Sequence, residues 1–176
     1  MKRLATIALA AALLGTYAGA GGSGWQTDFT RAAKKAKKAD RPILAEFTKG
    51  DASKKINKQV FFKAKFKTWA KKNVILFSID LGKKVSKKLT AQYAELQKRY
   101  ELESFPTILL LDHEGKLLGT PTFERDTNVA DWIKDAGEIV EAASGAGQWL
   151  TDWEKAKKIS KRTRKPMLVD FNGSDW

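Results

Sequence analysis

Few side chains in this chain are suited to bond-making chemistry. The 176 residues include no cysteine and a single histidine, which excludes thiol chemistry and leaves little for a metal cluster. Ser53 precedes Lys54 and Lys55, and a serine beside a lysine can act as a nucleophile when the lysine is held neutral against the hydroxyl. We expect these two lysines to point to water instead, so we interpret Ser53 or Asp51 as the N-cap of a helix.

The single histidine, His113, stands between Asp112 and Glu114 in a predicted turn. Three consecutive residues of a tight turn do not converge on one ion, so we predict a turn residue and no metal. The glycine-rich run 21–24 precedes no strand-to-helix unit, so we expect no phosphate-binding loop. The sequence therefore predicts no cofactor and no catalytic residue.

The charge is strongly positive, with 33 Lys and Arg against 20 Asp and Glu and a formal net charge of +13. Such a charge favours anionic partners such as nucleic acid or lipid headgroups. The lysines, however, are spread along predicted helices as on solvated faces, arginine is scarce, and we identify no aromatic-interleaved signature of nucleic-acid binding. We therefore predict that the protein does not bind nucleic acid.

The first 20 residues have the features of a secretory signal peptide. Lys2 and Arg3 precede an apolar run at 4–14, and residues 18–20 offer a small-x-small cleavage site. The run is shorter than the roughly 20 apolar residues that span a bilayer. We predict that residues 1–20 are removed and that the protein is exported to a periplasm or the extracellular space without a membrane span. An uncleaved anchor is the alternative.

The rest of the chain alternates between predicted helices and strands. The helices are expected at about 28–39, 53–71, 86–100 and 126–143, and the strands at 43–47, 73–80, 105–112 and 117–119. The near-continuous apolar character of residues 73–80 is typical of a strand covered on both faces. This order predicts an α/β fold with a central mixed sheet flanked by helices.

The sequence also contains an internal repeat. Residues 25–52 align with residues 149–176 without a gap, matching Trp25 to Trp149 and Pro42 to Pro166 among other identities. We therefore predict one complete domain at 25–143, a linker at 144–148, and the opening of a second copy at 149–176. One helix and one strand cannot bury a core alone, so we expect the second copy to be poorly packed or docked on the first domain.

Two short motifs relate this pattern to a known family. Residues 103–107, Glu-Ser-Phe-Pro-Thr, open the third predicted strand, and residues 112–116, Asp-His-Glu-Gly-Lys, turn into the fourth. With the element order, they resemble the thioredoxin fold, and more narrowly the exported thioredoxin-like domains of the disulfide-interchange type. The resemblance covers 25–143 and again 149–176. It implies that Pro106 follows a cis peptide bond and that the backbone beside it pairs with an extended substrate.

The resemblance also indicates where the family keeps its redox pair. Aligned without a gap, the Cys-x-x-Cys motif falls on Ser53, Lys54, Lys55 and Ile56, whereas the spacing to the Val60-Phe61 pair suggests a loop shortened by a few residues. No thiol remains in either alignment, and a serine hydroxyl cannot replace one because it does not ionise near neutral pH. The peptide groove implied by the resemblance consists of Ala52, Ser53, Phe105, Pro106 and Thr107.

The family keeps an acidic residue beneath the redox pair, a position held by Glu46 in the first copy and by Asp170 in the second. A half-buried carboxyl in that position has a raised pKa and can move protons for thiol exchange. Glu46 has no thiol to serve. We therefore interpret it as a strand residue whose carboxylate finds a hydrogen bond or a water.

These observations predict a redox-inactive thioredoxin-like protein that binds extended protein or peptide clients. The alternative is a truncated tandem thiol- or selenol-disulfide oxidoreductase, with a redox partner, whose catalytic cysteine or selenocysteine would be residue 177. In the family, a run like residues 169–176 leads directly into the first cysteine. The end at Trp176 then has three explanations, which are a UGA codon read as selenocysteine, a true stop, and a fragment boundary.

Overall fold

The computed structural model describes residues 24–144, 150–163 and 166–170. The elements in chain order are α1 (Phe29–Ala39), β1 (Ile43–Thr48), α2 (Ala64–Asn73), β2 (Ile75–Asp80), α3 (Lys87–Arg99), β3 (Thr107–Leu111), β4 (Leu117–Gly119), α4 (Val129–Ser144) and α5 (Trp153–Thr163). The predicted signal peptide, linker residues 145–148 and residues 171–176 lie outside the described residues. Of the helices that the structure describes, none combines the length and apolar character needed to cross a bilayer.

The four strands form one mixed sheet in the order β2-β1-β3-β4. β1 is parallel to β2 and antiparallel to β3, and β4 is antiparallel to β3. The register sets Glu46 of β1 between Ser78 and Ile108, and Phe47 opposite Thr107. The predicted α/β fold with a central mixed sheet is confirmed.

Each face of the sheet is covered by helices, which divides the core into two clusters. Ala45, Phe47 and Phe77 pack with α1 and α3 on one face. Leu44 and Trp132 belong to the cluster on the other face, together with α2 and α4. All six residues of β1 are buried, as expected of a strand covered on both faces. A polar side chain in this strand is therefore held away from solvent by the fold.

The ends of α1 and α3 are those expected from local sequence. The side chain of Asp28 accepts a hydrogen bond from the backbone N–H of Arg31, and Ser86 does the same for Leu89. Both residues are N-caps that satisfy a backbone donor at the start of a helix. α4 begins three residues later than predicted, because the Asn128 side chain accepts hydrogen bonds from the next turn.

The predicted continuous helix 53–71 is wrong. The chain forms a 3₁₀ turn at Gly50–Ser53, an α-helical turn at Lys54–Ile56 and a π-helical turn at Asn57–Phe61, and restarts at α2 after an extended Lys63. We call residues 50–61 the composite segment.

The break in this helix follows from the burial of two aromatic side chains. Phe61 and Phe66 are both 1% exposed and lie in the same core cluster. Five residues apart in one straight α-helix, they would point about 140° away from each other. The change of direction between the composite segment and α2 lets both rings reach the core.

Within the predicted second copy, residues 149–176, the structure describes one helix. α5 lies against α4 and β4, where Lys158 Nζ is 3.6 Å from Glu138 Oε2. The predicted strand is not formed at 166–170, which no described strand pairs with, and Leu168 is 82% exposed. An isolated strand is not stable in water. Ser144, the first residue of the predicted linker, belongs to α4.

Candidate functional site

The predicted groove residues lie at the end of the sheet where β1 stops. The composite segment begins two residues after Thr48, and Thr107 pairs with Phe47, which brings the Phe105–Pro106 bond to the same end. That bond is cis, as the resemblance implies. Of the predicted groove residues, four are half-buried, namely Ala52, Phe105, Pro106 and Thr107, whereas Ser53 is only 2% exposed.

Beneath this end of the sheet lies a buried carboxyl group. Glu46 has no exposed surface and accepts a hydrogen bond at Oε2 from the Ser78 hydroxyl, at 2.8 Å. Its other oxygen, Oε1, has no hydrogen-bond partner among the described atoms. Burying an incompletely paired carboxylate is unfavourable, whereas a neutral carboxylic acid is much less so.

Burial is the main influence on the pKa of Glu46 and raises it above its ordinary value. The Ser53 and Ser78 hydroxyls oppose this by stabilising the charged form, and the nearby carboxylate of Asp80 adds to the rise. Desolvation therefore dominates the electrostatics of this group. The upward shift of the Glu46 pKa is the direction that the sequence predicted for an acid in this position.

The interpretation of Ser53 or Asp51 as a helix N-cap holds only for the position of Ser53, which stands at the N-cap of the helical turn Lys54–Ile56 but makes no capping hydrogen bond. Neither the 3₁₀ turn nor the short helix after it has a side-chain cap, and Asp51 instead pairs with Lys54 at 2.7 Å. The Ser53 hydroxyl is turned inward to the Glu46 carboxyl, although it makes no hydrogen bond of ordinary geometry with a described atom. Lys54 and Lys55 are exposed, whereas a serine-lysine hydrolase requires a lysine held against the serine hydroxyl.

Further polar atoms are buried in the same part of the core, and sequence reasoning missed two of these residues, Asn57 and Ser78. Asn57 is 5% exposed and Thr48 is 4% exposed, and their Oδ1 and Oγ1 atoms lack partners among the described atoms. Ser78 is a polar residue within an apolar strand, which was the available signal. Ile56, in contrast, is fully buried in the apolar cluster. An acid among hydroxyls can hold a proton, but it supplies no nucleophilic sulfur.

The remaining candidate residues are not part of this site. Asp170 is in the exposed stretch 166–170 rather than beneath a strand. His113 is exposed, with Nε2 3.9 Å from Glu114 Oε1. Within the described part of the chain, no group of three or more histidine, aspartate or glutamate side chains is arranged to hold a metal ion.

The burial of Ser53 predicts how a cysteine would behave there. We expect the thiol of a Ser53→Cys variant to react with a disulfide reagent at least roughly 100-fold more slowly than that of Ala52→Cys, because burial and a neighbouring acid both disfavour the thiolate. The unmodified chain has no cysteine, so the absorbance of the thiol released from the reagent reports only on the introduced residue. As a control, the two variants should react at equal rates after unfolding. Equal reaction rates in the folded proteins would contradict the inward position of Ser53.

The chain is similar to several known thioredoxin-like proteins. A family model described as a thioredoxin-like domain matches residues 29–137. A DsbH oxidoreductase structure is 21% identical with a TM-score of 0.60, over 73% of this chain and 92% of that one. A structure described as a putative disulphide-isomerase from Bacteroides thetaiotaomicron is 20% identical with a TM-score of 0.53, over 71% and 98% of the two chains.

A third structure, the C-terminal domain of DsbD from Neisseria meningitidis in its oxidised form, is 14% identical with a TM-score of 0.50, over 65% and 98% of the chains. At these identities the likeness is one of fold. No curated protein sequence matches the chain.

Proposed function

The chain belongs to the family of thioredoxin-like domains, and from that premise we propose that it is a redox-inactive member that binds extended protein or peptide clients. The groove consists of Ala52, Ser53, Phe105, Pro106 and Thr107. The observation that carries the proposal is the combination of a sequence without cysteine and an accessible groove end of the sheet. Disulfide exchange requires a thiolate, whereas backbone pairing with an extended segment does not.

The composition of the site supports binding rather than catalysis. Ser53 is the groove residue whose chemistry is most like that of a nucleophile, and it faces the buried Glu46 and not the solvent. Half-buried apolar and backbone groups remain on the groove side at 105–107. A client bound there would contact the end of a strand and a helical turn. Such a surface can form hydrogen bonds with the main chain of the client, so the side chains of the client can vary. We include export in the proposal, on the strength of residues 1–20.

A blocking substitution tests the groove. We expect Ala52→Tyr to weaken binding of a fluorescent, cysteine-free, unfolded polypeptide at least about tenfold, because the larger side chain occupies the half-buried position beside the groove. Ala91→Tyr is the matched control, since Ala91 is exposed on α3. Anisotropy titration gives both affinities. Equal losses in the two variants, or no binding by the unmodified chain, would remove support for the groove.

The same protein should have no disulfide reductase activity. In an insulin turbidity assay with dithiothreitol, we expect the rate with the chain to equal the rate without it, because no residue can form a mixed disulfide. An active thioredoxin is the positive control. Any acceleration proportional to the concentration of the chain would contradict redox inactivity.

The internal repeat favours a second candidate function. Residues 149–176 copy residues 25–52, and Asp170 occupies the position of Glu46. Under this candidate the chain is part of a tandem thiol- or selenol-disulfide oxidoreductase in which the second copy carries the redox residue. Sequencing the transcript beyond the Trp176 codon decides it: a UGA codon with an in-frame cysteine-containing continuation supports the enzyme, and an unrelated stop contradicts it.

A further inference from the structure

Five basic residues meet at one corner of the fold, at the opposite end of the sheet from the groove. The last turn of α1 carries Lys37 and Lys38, the last turn of α2 carries Lys71 and Lys72, and Arg41 joins the two. Arg41 Nη1 donates a hydrogen bond to the backbone carbonyl of Lys71 at 2.6 Å. The four lysines are exposed. We call these residues the basic corner.

The acidic groups around the basic corner do not neutralise it. Asp40 is the one carboxylate on the connection between α1 and β1. Asp112 and Glu114 lie at this end of the sheet as well, but beyond β1, in the turn after β3. The Asp112 carboxylate is engaged there by the backbone N–H groups of Glu114 and Lys116. The five cations of the basic corner therefore lie on the β2 side of the sheet, away from Asp112 and Glu114.

The chain enters the domain at the same end. Gln26 runs parallel to β2, donating its backbone N–H to Leu76 and accepting from Ser78, each at 2.9 Å. A segment parallel to β2 reaches this bridge from the end where β2 begins, and β2 begins immediately after the basic corner. Gly24, the first described residue, therefore lies toward the end of β2 that follows the basic corner.

The groove and the basic corner are separated by the length of the sheet. β2 has six residues and spans about 20 Å at 3.3 Å per residue. This is about twice the distance over which charges are screened at moderate ionic strength. Charges at the two ends therefore act independently on a partner.

From this geometry we propose that the basic corner binds anionic lipid headgroups at a membrane surface, with the groove directed away from the bilayer. The lysine side chains at the ends of the two helices form a charged surface without a fixed pocket. Such a surface can bind the anionic headgroups of a fluid bilayer, whose charge is spread over many lipids. Nucleic acid recognition instead favours arginine forks and stacked aromatic rings. Four of the five cations at the corner are lysines, and the one arginine, Arg41, is engaged by the Lys71 carbonyl.

Vesicle binding tests the proposal. The full chain is sedimented with phosphatidylcholine vesicles, with and without roughly one quarter phosphatidylglycerol, at about 50 mM salt. We expect the chain to bind the anionic vesicles more strongly than the neutral ones. When Lys37, Lys38, Lys71 and Lys72 are all changed to glutamine, the affinity for the anionic vesicles should fall at least about tenfold. Arg41 is kept because its hydrogen bond joins α1 to α2.

A control with the same change in net charge separates location from charge. Lys83, Lys84, Lys87 and Lys88 are exposed at the other end of β2, and their replacement by glutamine should weaken binding less than about threefold. Circular dichroism verifies the folding of both variants. Equal losses in the two variants, equal binding to neutral vesicles, or tighter binding to a DNA duplex than to anionic vesicles would each overturn the proposal.

The orientation gives a second measurement. Since the chain has no cysteine, a polarity-sensitive fluorophore can be attached at Lys72→Cys or at Lys84→Cys alone. We expect a blue shift with anionic vesicles for the label at position 72 and none for the label at position 84. The reverse pattern would contradict the orientation even if the affinity were retained.

Discussion

Replacing Phe61 by alanine should destabilise the protein by about 3–5 kcal/mol, the range for removing a large side chain from a packed core. Phe61 is 1% exposed, and its ring centroid lies 5.3 Å from that of Trp25, 4.8 Å from Phe66 and 5.6 Å from Trp132. Domains of this size have about 5–15 kcal/mol of stability in total. The variant should therefore be only marginally folded at room temperature.

The neighbouring residue provides a matched control. Phe62 is 51% exposed, so Phe62→Ala should cost less than about 1 kcal/mol. Urea unfolding followed by circular dichroism gives both free energies of unfolding. This probe does not depend on the fluorescence of the tryptophans near Phe61, which the substitution itself could change. The contrast depends on the π-helical turn and the break after it. If the two variants lost similar stability, the structure would be wrong about which of the two rings faces the core.

Replacing Glu46 by glutamine should stabilise the protein relative to the unmodified chain as the pH rises above neutral, because the amide brings no charge into the buried position. Burial raises the pKa of Glu46 in the folded protein, while the unfolded chain titrates near the ordinary value of 4.5. Between the two pKa values the folded state binds the proton and the unfolded state does not, so stability falls as pH rises. Glutamine stays neutral and still accepts from Ser78.

Unfolding free energies measured between about pH 4 and pH 9 give the test. In the unmodified chain, the contribution of Glu46 is fully present below pH 4.5 and is lost as pH rises through the folded-state pKa. The Glu46→Gln curve should lack this decrease, so that the two curves diverge with rising pH. Glu103→Gln is the control, because Glu103 is exposed. Curves for Glu46→Gln and the unmodified chain that stay parallel would contradict a raised pKa.

The two substitutions examine different properties of the same end of the fold. Phe61 anchors the composite segment to the apolar core, while Glu46 lies beneath Ser53 in that segment. A thiol-dependent enzyme uses a buried acid to move protons during exchange. Here the acid remains without the sulfur, so its raised pKa lowers stability at neutral pH with no redox chemistry in return. The absence of cysteine is consistent with redox inactivity.

Local patterns were sufficient wherever a residue acts on its own neighbours. Asp28 and Ser86 cap helices because their side chains reach backbone N–H groups three residues away. The apolar run 73–80 predicted β2, since a strand covered on both faces has no polar side to show. From these elements, and the motifs at 103–107 and 112–116, the sequence by itself determined the α/β class and the resemblance to the family.

Only the tertiary structure decided what depends on residues distant in sequence. Phe61 and Phe66 are buried together, which breaks a helix that periodicity alone made continuous. Ser53 turns inward because β1 places Glu46 beneath it, and Ser78 reaches Glu46 through strand pairing across 32 positions of the chain. The basic corner likewise exists because parallel β1 and β2 bring the ends of α1 and α2 together. Burial and proximity are set by packing, and packing is not a property of any single segment.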